Sequence, residues 1–136
     1  MFNPPNPKKF FATVWNIVEQ IPEGKVSTYG QIATMIPASD GTDPDQMKRL
    51  APRWVGTAMR KTPKGQNIPW HRVINSQGKV SFPEGSPQAE EQYRLLEMEG
   101  VEFDNKGKVD FDIVGWEGPN YEYLESNDLF PPKPFT

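Results

Sequence analysis

Prolines stand at the borders of the chain's apolar-periodic segments, and a proline cannot continue a helix or a ladder, so these residues dictate where regular structure can start and stop. From Lys8 to Gln20, Phe11, Val14, Trp15 and Val18 recur at helical spacing, and Ile21 follows on the same face before Pro22. Pro22-Glu23-Gly24-Lys25 reads as a turn. Val26-Ser27-Thr28 leads into a second helix through Thr28-x-x-Gln31, the spacing of a capping box, and that helix carries Ile32, Ala33 and Ile36 up to Pro37. Ala38 to Asp45 is polar and acidic and reads as a loop. Pro52 suits the first turn of a third helix that reaches about Lys61, with Trp54, Val55, Ala58 and Met59 as its apolar side. Ser86-Pro87 opens a fourth helix bearing Ala89, Tyr93 and Leu96, and Gly100 suits its C-terminal cap.

Between the third and fourth helices lies Ile68 to Ser81. It holds the only histidine, His71, between Trp70 and Arg72, on a backbone stiffened by Pro69. Asn75 to Gly78 supplies turn residues, which predicts a tight loop followed by a short hairpin. Two helices, a connection, a third helix and a hairpin make a helix-turn-helix plan with a wing, although the connection exceeds the usual ~3–4 residues. A small helical bundle with a basic third helix shares the pattern. Val101 to Phe111, around Asn105-Lys106-Gly107, alternates enough for a hairpin or a single edge strand. Three prolines in Met1–Pro7 predict a disordered N-terminal tail over residues 1–7, ahead of a domain over 8–113. The acidic, aromatic extension over 114–136 is compatible with a wrap over the core or with a disordered partner segment.

Composition narrows the chemistry. There is no cysteine among the 136 residues, which removes disulfides, thiolate metal sites and any cysteine nucleophile. With one histidine, a zinc site would need several carboxylates, so no metal is expected and no cofactor is implied. The net charge of -3 hides a strong polarity. Residues 46–83 contain no Asp or Glu and hold Lys48, Arg49, Arg53, Arg60, Lys61, Lys64, Arg72 and Lys79, while the other basic residues share the rest of the chain with all 18 acids. An uninterrupted basic block of this kind suits phosphate contact, where counterion release supplies most of the non-specific affinity. No apolar run approaches the ~20 residues of a membrane helix, and no signal-peptide pattern opens the chain. A cytoplasmic, nucleoid-associated protein is expected, or a nuclear one in a eukaryote, without membrane partners and as a monomer.

Four segments together carry a family resemblance that spans roughly Phe11 to Val109. Pro69-Trp70-His71-Arg72-Val73 resembles the Pro-Cys-His-Arg-Val active-site segment of the O6-alkylguanine-DNA alkyltransferases, with tryptophan at the place of the acceptor cysteine. Ile21 to Ala33 resembles the segment bearing that family's DNA-contacting tyrosine, here Tyr29. Arg53-Trp54-Val55-Gly56-Thr57-Ala58-Met59-Arg60 resembles the recognition helix, whose first arginine replaces the extruded nucleotide. Leu96 to Val101 resembles the helix end that supplies the network glutamate, here Glu99. Tryptophan at the acceptor position is the mark of the alkyltransferase-like proteins, which bind alkylated guanine without repairing it.

The resemblance implies a mainly α fold with small β hairpins, a winged helix-turn-helix DNA-binding domain of the methylated-DNA-protein cysteine methyltransferase type. It also implies double-stranded DNA containing O6-alkylguanine as partner, with hand-off to nucleotide excision repair proteins. The implied lesion pocket comprises Tyr29, Trp70, His71, Arg72, Val80, Ser81 and Glu99. The implied DNA contacts are Thr28, Tyr29, Gln31, Arg53, Trp54, Thr57, Arg60 and Lys61, with Arg53 as an arginine finger. His71 and Glu99, lacking a thiol to activate, are expected to form a hydrogen-bonding network without a catalytic role. Two departures from the enzymes stand out. Thr62 occupies the place of a pocket asparagine, and Val80 to Gly85 reads Val-Ser-Phe-Pro-Glu-Gly in place of a glycine-rich lid. A winged-helix regulator that binds one operator sequence is the alternative reading.

Overall fold

The computed structural model describes residues 4–39 and 41–135, so Met1 to Asn3 of the expected tail, Asp40 of the expected loop and Thr136 lie outside the described residues. Helix α1 spans Pro7–Val18, with the Asn6 side chain accepting from the Lys9 N–H and Pro7 in the first turn, where its missing N–H does no harm. Of the predicted stripe, Phe11, Val14 and Val18 are buried together with Phe10 and Ile17, while Trp15 is half-buried and packs against the core. Strand β1 is Ser27–Thr28 and runs directly into α2, Tyr29–Met35. Half of the capping box forms, since Thr28 Oγ1 accepts from the Gln31 N–H at 3.0 Å. The reciprocal half does not, because the Gln31 side chain turns inward to Ser27 Oγ and donates to the Trp116 carbonyl at 2.7 Å.

Helix α3 is Pro44–Arg60, eight residues longer at its N-terminus than the expectation built on Pro52. Two rules compete here. Asp43 caps the helix and Pro44 occupies its first turn, while Met47, Ala51, Trp54, Val55 and Ala58 form one buried stripe that continues through Pro52. Pro52 therefore sits inside the helix, at a position where its ring would ordinarily cost ~3 kcal/mol. Lys48, whose carbonyl loses the Pro52 donor, lies on the exposed side, where water can serve it. Burial of the continuous stripe outweighs the local preference.

A short 3-10 turn, Trp70–Arg72, precedes β2, Val73–Ile74. The sheet corrects the hairpin expectation. β2 pairs in parallel with β1, Ser27 against Val73 and Thr28 against Ile74, across a long stretch of chain. Asn75 instead closes a tight loop: its Oδ1 accepts from the N–H groups of Gln77 and Lys79, and its own N–H donates to the Lys79 carbonyl. Val101 to Phe111 likewise forms no strand; Asp104 closes a turn there by accepting from the N–H groups of Lys106 and Lys108.

Helix α4, Pro87–Met98, begins at the Ser86 cap as expected. It ends in a Schellman arrangement, with Gly100 at φ +91°, the Gly100 N–H on the Glu97 carbonyl and the Val101 N–H on the Leu96 carbonyl. This termination fixes Glu99 at the cap, facing back across the molecule.

The C-terminal extension wraps the core. α5, Phe111–Val114, leads into it, and it holds α6, Tyr121–Ser126. Val26 donates to the Val114 carbonyl and accepts from the Trp116 N–H, both at 2.8 Å, so the extension flanks the strand that leads to Tyr29. Trp116 and Leu124 belong to the same buried cluster as the inner faces of α1, α2 and α3. Beyond α6, the Phe130 N–H bonds the Met35 carbonyl and Phe135 stacks on Phe111 at 4.5 Å. The described residues form a mainly helical fold with one two-stranded sheet.

Candidate nucleic-acid interface and lesion pocket

Helix α3 presents Arg49, Arg53, Thr57 and Arg60 at helical spacing, and the three arginines are exposed. Among the described residues the Arg53 guanidinium has no ion-pair partner. Thr57 Oγ1 donates to the Arg53 carbonyl and accepts from Arg60 Nη2, each at 3.1 Å, which holds the Arg60 side chain along the helix. Gly56 lies within this stripe, and a Cβ there would meet only Arg60 Nη1 at 3.8 Å. A glycine inside a helix costs roughly 1 kcal/mol relative to alanine. No packing among the described residues accounts for it.

A cavity of about 610 Å3 opens between α3, Tyr29 and the segment from Trp70 to Pro83. Arg53, Thr57 and Arg60 reach it from α3, Tyr29 from the start of α2, and Trp70 and Ser81 from the loop side. Its volume falls within the ~300–1,000 Å3 typical of small-molecule sites. None of the described residues that line it is acidic. Trp70 meets Phe82 at right angles, ring centroids 6.2 Å apart, and meets the His71 ring in the same manner at 6.0 Å.

Behind this wall a polar network ties the loop to the rest of the fold. His71 Nε2 lies 2.8 Å from Glu99 Oε2, and Arg72 grips the same carboxylate through Nη2 at 2.6 Å and Nε at 3.0 Å. Arg72 Nη1 also donates to the Ile21 carbonyl, and the Gly24 N–H donates to Glu99 Oε1. Burial pushes the Glu99 carboxyl up, but the Arg72 guanidinium, the His71 ring and the Gly24 N–H outweigh it and hold the group down at about 2. With Glu99 ionised and able only to accept, His71 Nε2 is the donor. The His71, Arg72 and Gly24 donors together hold the Glu99 carboxylate in place.

The structure sorts the expected site residues. Tyr29, Trp70, Ser81, Arg53, Trp54, Thr57 and Arg60 all line the cavity. His71, Arg72 and Glu99 form the network behind it rather than its lining. Val80 is buried in the second core cluster. Thr28 and Gln31 are buried, at 4% and 6% exposure, and their side chains serve the helix cap and the Trp116 carbonyl, so neither presents its side chain to DNA. Trp54 packs edge-on against Phe10 in the main core and shows the cavity only part of its ring. Lys61 places its Nζ over the Phe11 ring of α1, 5.7 Å from the centroid.

Gln92 was not anticipated. It is buried on α4, and its Nε2 donates to the carbonyls of both His71 and Val73, clamping the Trp70 loop while lining the cavity. Its place with Ala89, Tyr93 and Leu96 on the inward face was the available signal: a glutamine at a core position has to satisfy its amide inside. A larger cleft of about 1460 Å3 lies beside the C-terminal extension and contains, of the expected site residues, only Gln31.

Comparison with known proteins agrees with this geometry. The family model described as "6-O-methylguanine DNA methyltransferase, DNA binding domain" matches residues 9–101. A "DNA base-flipping protein" of Vibrio parahaemolyticus is 37% identical over 109 residues, covering 80% of this chain and 97% of that protein. "Alkyltransferase-like protein 1" of Schizosaccharomyces pombe is 42% identical over 94 residues, covering 69% of this chain and 78% of that one. A crystal structure of S. pombe Atl1 in complex with damaged DNA containing O6-carboxymethylguanine superposes with a TM-score of 0.61 at 36% identity, over 80% of this chain and 95% of that one. The chain belongs to the alkyltransferase-like proteins, built on the DNA-binding domain of the 6-O-methylguanine DNA methyltransferase family.

Proposed function

We propose that the protein binds duplex DNA containing O6-alkylguanine, turns the damaged nucleotide into the cavity beside Trp70, and holds it with the alkyl group intact. The observation that carries this reading is the cavity itself: a recess between an arginine-bearing helix and Trp70, with no acid among the described residues that line it, in a chain without cysteine. Flipping a nucleotide costs a few kcal/mol of stacking and pairing. Arg53, exposed at the edge of the cavity, offsets part of that cost by filling the vacated site with a planar group that stacks on bases and donates to the orphaned partner. Arg49, Lys48 and Arg60 contact the phosphate backbone and set the position of the protein on the duplex. The Trp70 indole gives the alkyl substituent an apolar surface, worth ~25 cal/mol per Å2 of area removed from water.

Alkyl transfer needs a thiolate acceptor, and the sequence contains none. Capture without chemistry is useful only as a signal, and nucleotide excision repair proteins are the partners that would remove the marked lesion. The relatives named as base-flipping and alkyltransferase-like proteins support the reading. The test is the fluorescence of 2-aminopurine placed beside an O6-methylguanine in a short duplex. Binding is expected to brighten it as stacking is lost, and Arg53→Ala to abolish most of that rise. A complex that forms with no change in fluorescence contradicts base flipping.

A further inference from the structure

We propose that Phe82 is a specificity-determining residue of this pocket, a fixed wall that limits which alkyl substituent fits against Trp70; the inference rests on the lesion-binding reading above. The segment from Val80 to Gly85 carries side chains where a glycine-rich run would carry none, and it is fixed at both ends. Val80 is buried in the second core cluster and anchors the start of the segment. Ser86 closes its end, with its N–H on the Pro83 carbonyl and its side chain capping α4. Between these anchors Pro83 restricts the backbone of the residue before it, which is Phe82. The segment is a short span tied down at both ends.

Phe82 uses that rigidity. Its ring is half-buried, lines the cavity and meets Trp70 at an interplanar angle of 82°. Right-angle aromatic pairs hold their geometry, since the positive edge of one ring sits against the negative face of the other. The backbone that follows Trp70 is itself held by buried Gln92, which bonds the carbonyls on either side of Arg72. Each ring thus stands beside an anchored stretch of backbone, held by buried Gln92 on one side and by buried Val80 with half-buried Ser86 on the other, and the space between the rings is set by the fold. A substituent larger than this space has to displace Phe82, while one that is smaller leaves the rings in contact with each other.

The test compares affinities of the full chain and its variants for three duplexes of one sequence, carrying guanine, O6-methylguanine or O6-benzylguanine. Phe82→Ala is expected to raise the affinity for the benzyl duplex relative to the methyl duplex by ~10-fold or more, the scale on which apolar pockets discriminate single groups. Phe82→Tyr keeps the ring, and is expected to leave the ratio within about two-fold of the wild type by the same reasoning. An unchanged far-ultraviolet spectrum and a cooperative thermal melt identify folded variants. Lesion preference retained in Phe82→Ala with the benzyl-to-methyl ratio unaltered overturns the role of Phe82 alone. Wild-type protein that binds all three duplexes equally overturns the lesion reading, and this inference with it.

Discussion

Arg72 and Glu99 form a two-point ion pair, Nη2 to Oε2 at 2.6 Å and Nε to Oε1 at 3.0 Å, that joins the loop carrying Trp70 to the end of α4. Their side chains are only 16% and 11% exposed, so each depends on the other for solvation. Glu99→Gln leaves the Arg72 charge buried without a counter-ion and is expected to destabilise the fold by on the order of 2–4 kcal/mol. Urea denaturation of the two proteins measures it. A shift in midpoint too small to resolve would show that the pair is dispensable.

The same carboxylate makes stability depend on pH. Its folded value is held at about 2 against an ordinary value of 4.5, so the unfolded chain binds the proton more readily. The contribution is complete above about pH 4.5 and is lost as the pH falls from there toward 2. Thermal unfolding between pH 6 and pH 2 is expected to show the loss in the parent and a shallower slope in Glu99→Gln.

Arg53→Ala is expected to leave stability within ~0.5 kcal/mol, as for other exposed positions away from buried contacts. Affinity for a lesion-bearing duplex falls by roughly ten- to hundred-fold, matching the loss of 1.4–2.8 kcal/mol that had offset nucleotide extrusion. Undamaged duplex is bound with a smaller loss. Fluorescence anisotropy with both duplexes checks the difference, and equal losses on the two would reduce Arg53 to a phosphate contact.

Gly56→Ala is expected to raise thermal stability by ~0.5–1 kcal/mol, because a methyl group there meets only Arg60 Nη1 at 3.8 Å and removes the entropy of an interior glycine. Binding to any duplex is expected to weaken, since the position lies between Arg53 and Arg60 on the exposed stripe, where the DNA backbone would come close. A variant that is more stable and binds as well as the parent would remove Gly56 from the interface.

Trp116→Ala removes a tryptophan that is 6% exposed in the main core and is expected to cost ~3–5 kcal/mol. Its backbone flanks Val26 and accepts from Gln31, two residues from Tyr29, so the damage reaches the pocket side of the molecule. Calorimetry of the variant checks the cost. A melting temperature unchanged from the parent would mean that the extension rests on the core without supporting it.

Much of this was legible in the residues, and the failures have physical causes. Pro22, Pro37 and Pro87 mark real boundaries because each falls where the apolar period also breaks. Pro52 misled because its local rule and the longer Met47-to-Ala58 stripe disagree, and burying the stripe stabilises the helix by more than the proline costs it. The parallel pairing of Ser27 and Thr28 with Val73 and Ile74 left no local trace, since each strand is two residues long and its partner is distant in the chain. The resemblance alone implied that Thr28 and Gln31 contact DNA; here Thr28 caps α2 and the Gln31 amide turns inward to the carbonyl of Trp116, from the far end of the chain. The cavity residues drawn from contiguous segments, Arg53, Thr57, Trp70 and Ser81, were readable together, whereas Gln92 came from a separate helix.

The central claim, recognition of an alkylated guanine without its repair, is tested most directly by one experiment. Affinity is measured for a short duplex with and without a single O6-methylguanine at matched salt, and the DNA is then recovered and its methyl group assayed. Tighter binding to the modified duplex, with the methyl group fully retained after long incubation, is the result expected. Equal affinity for the two duplexes, or loss of the methyl group, contradicts the account.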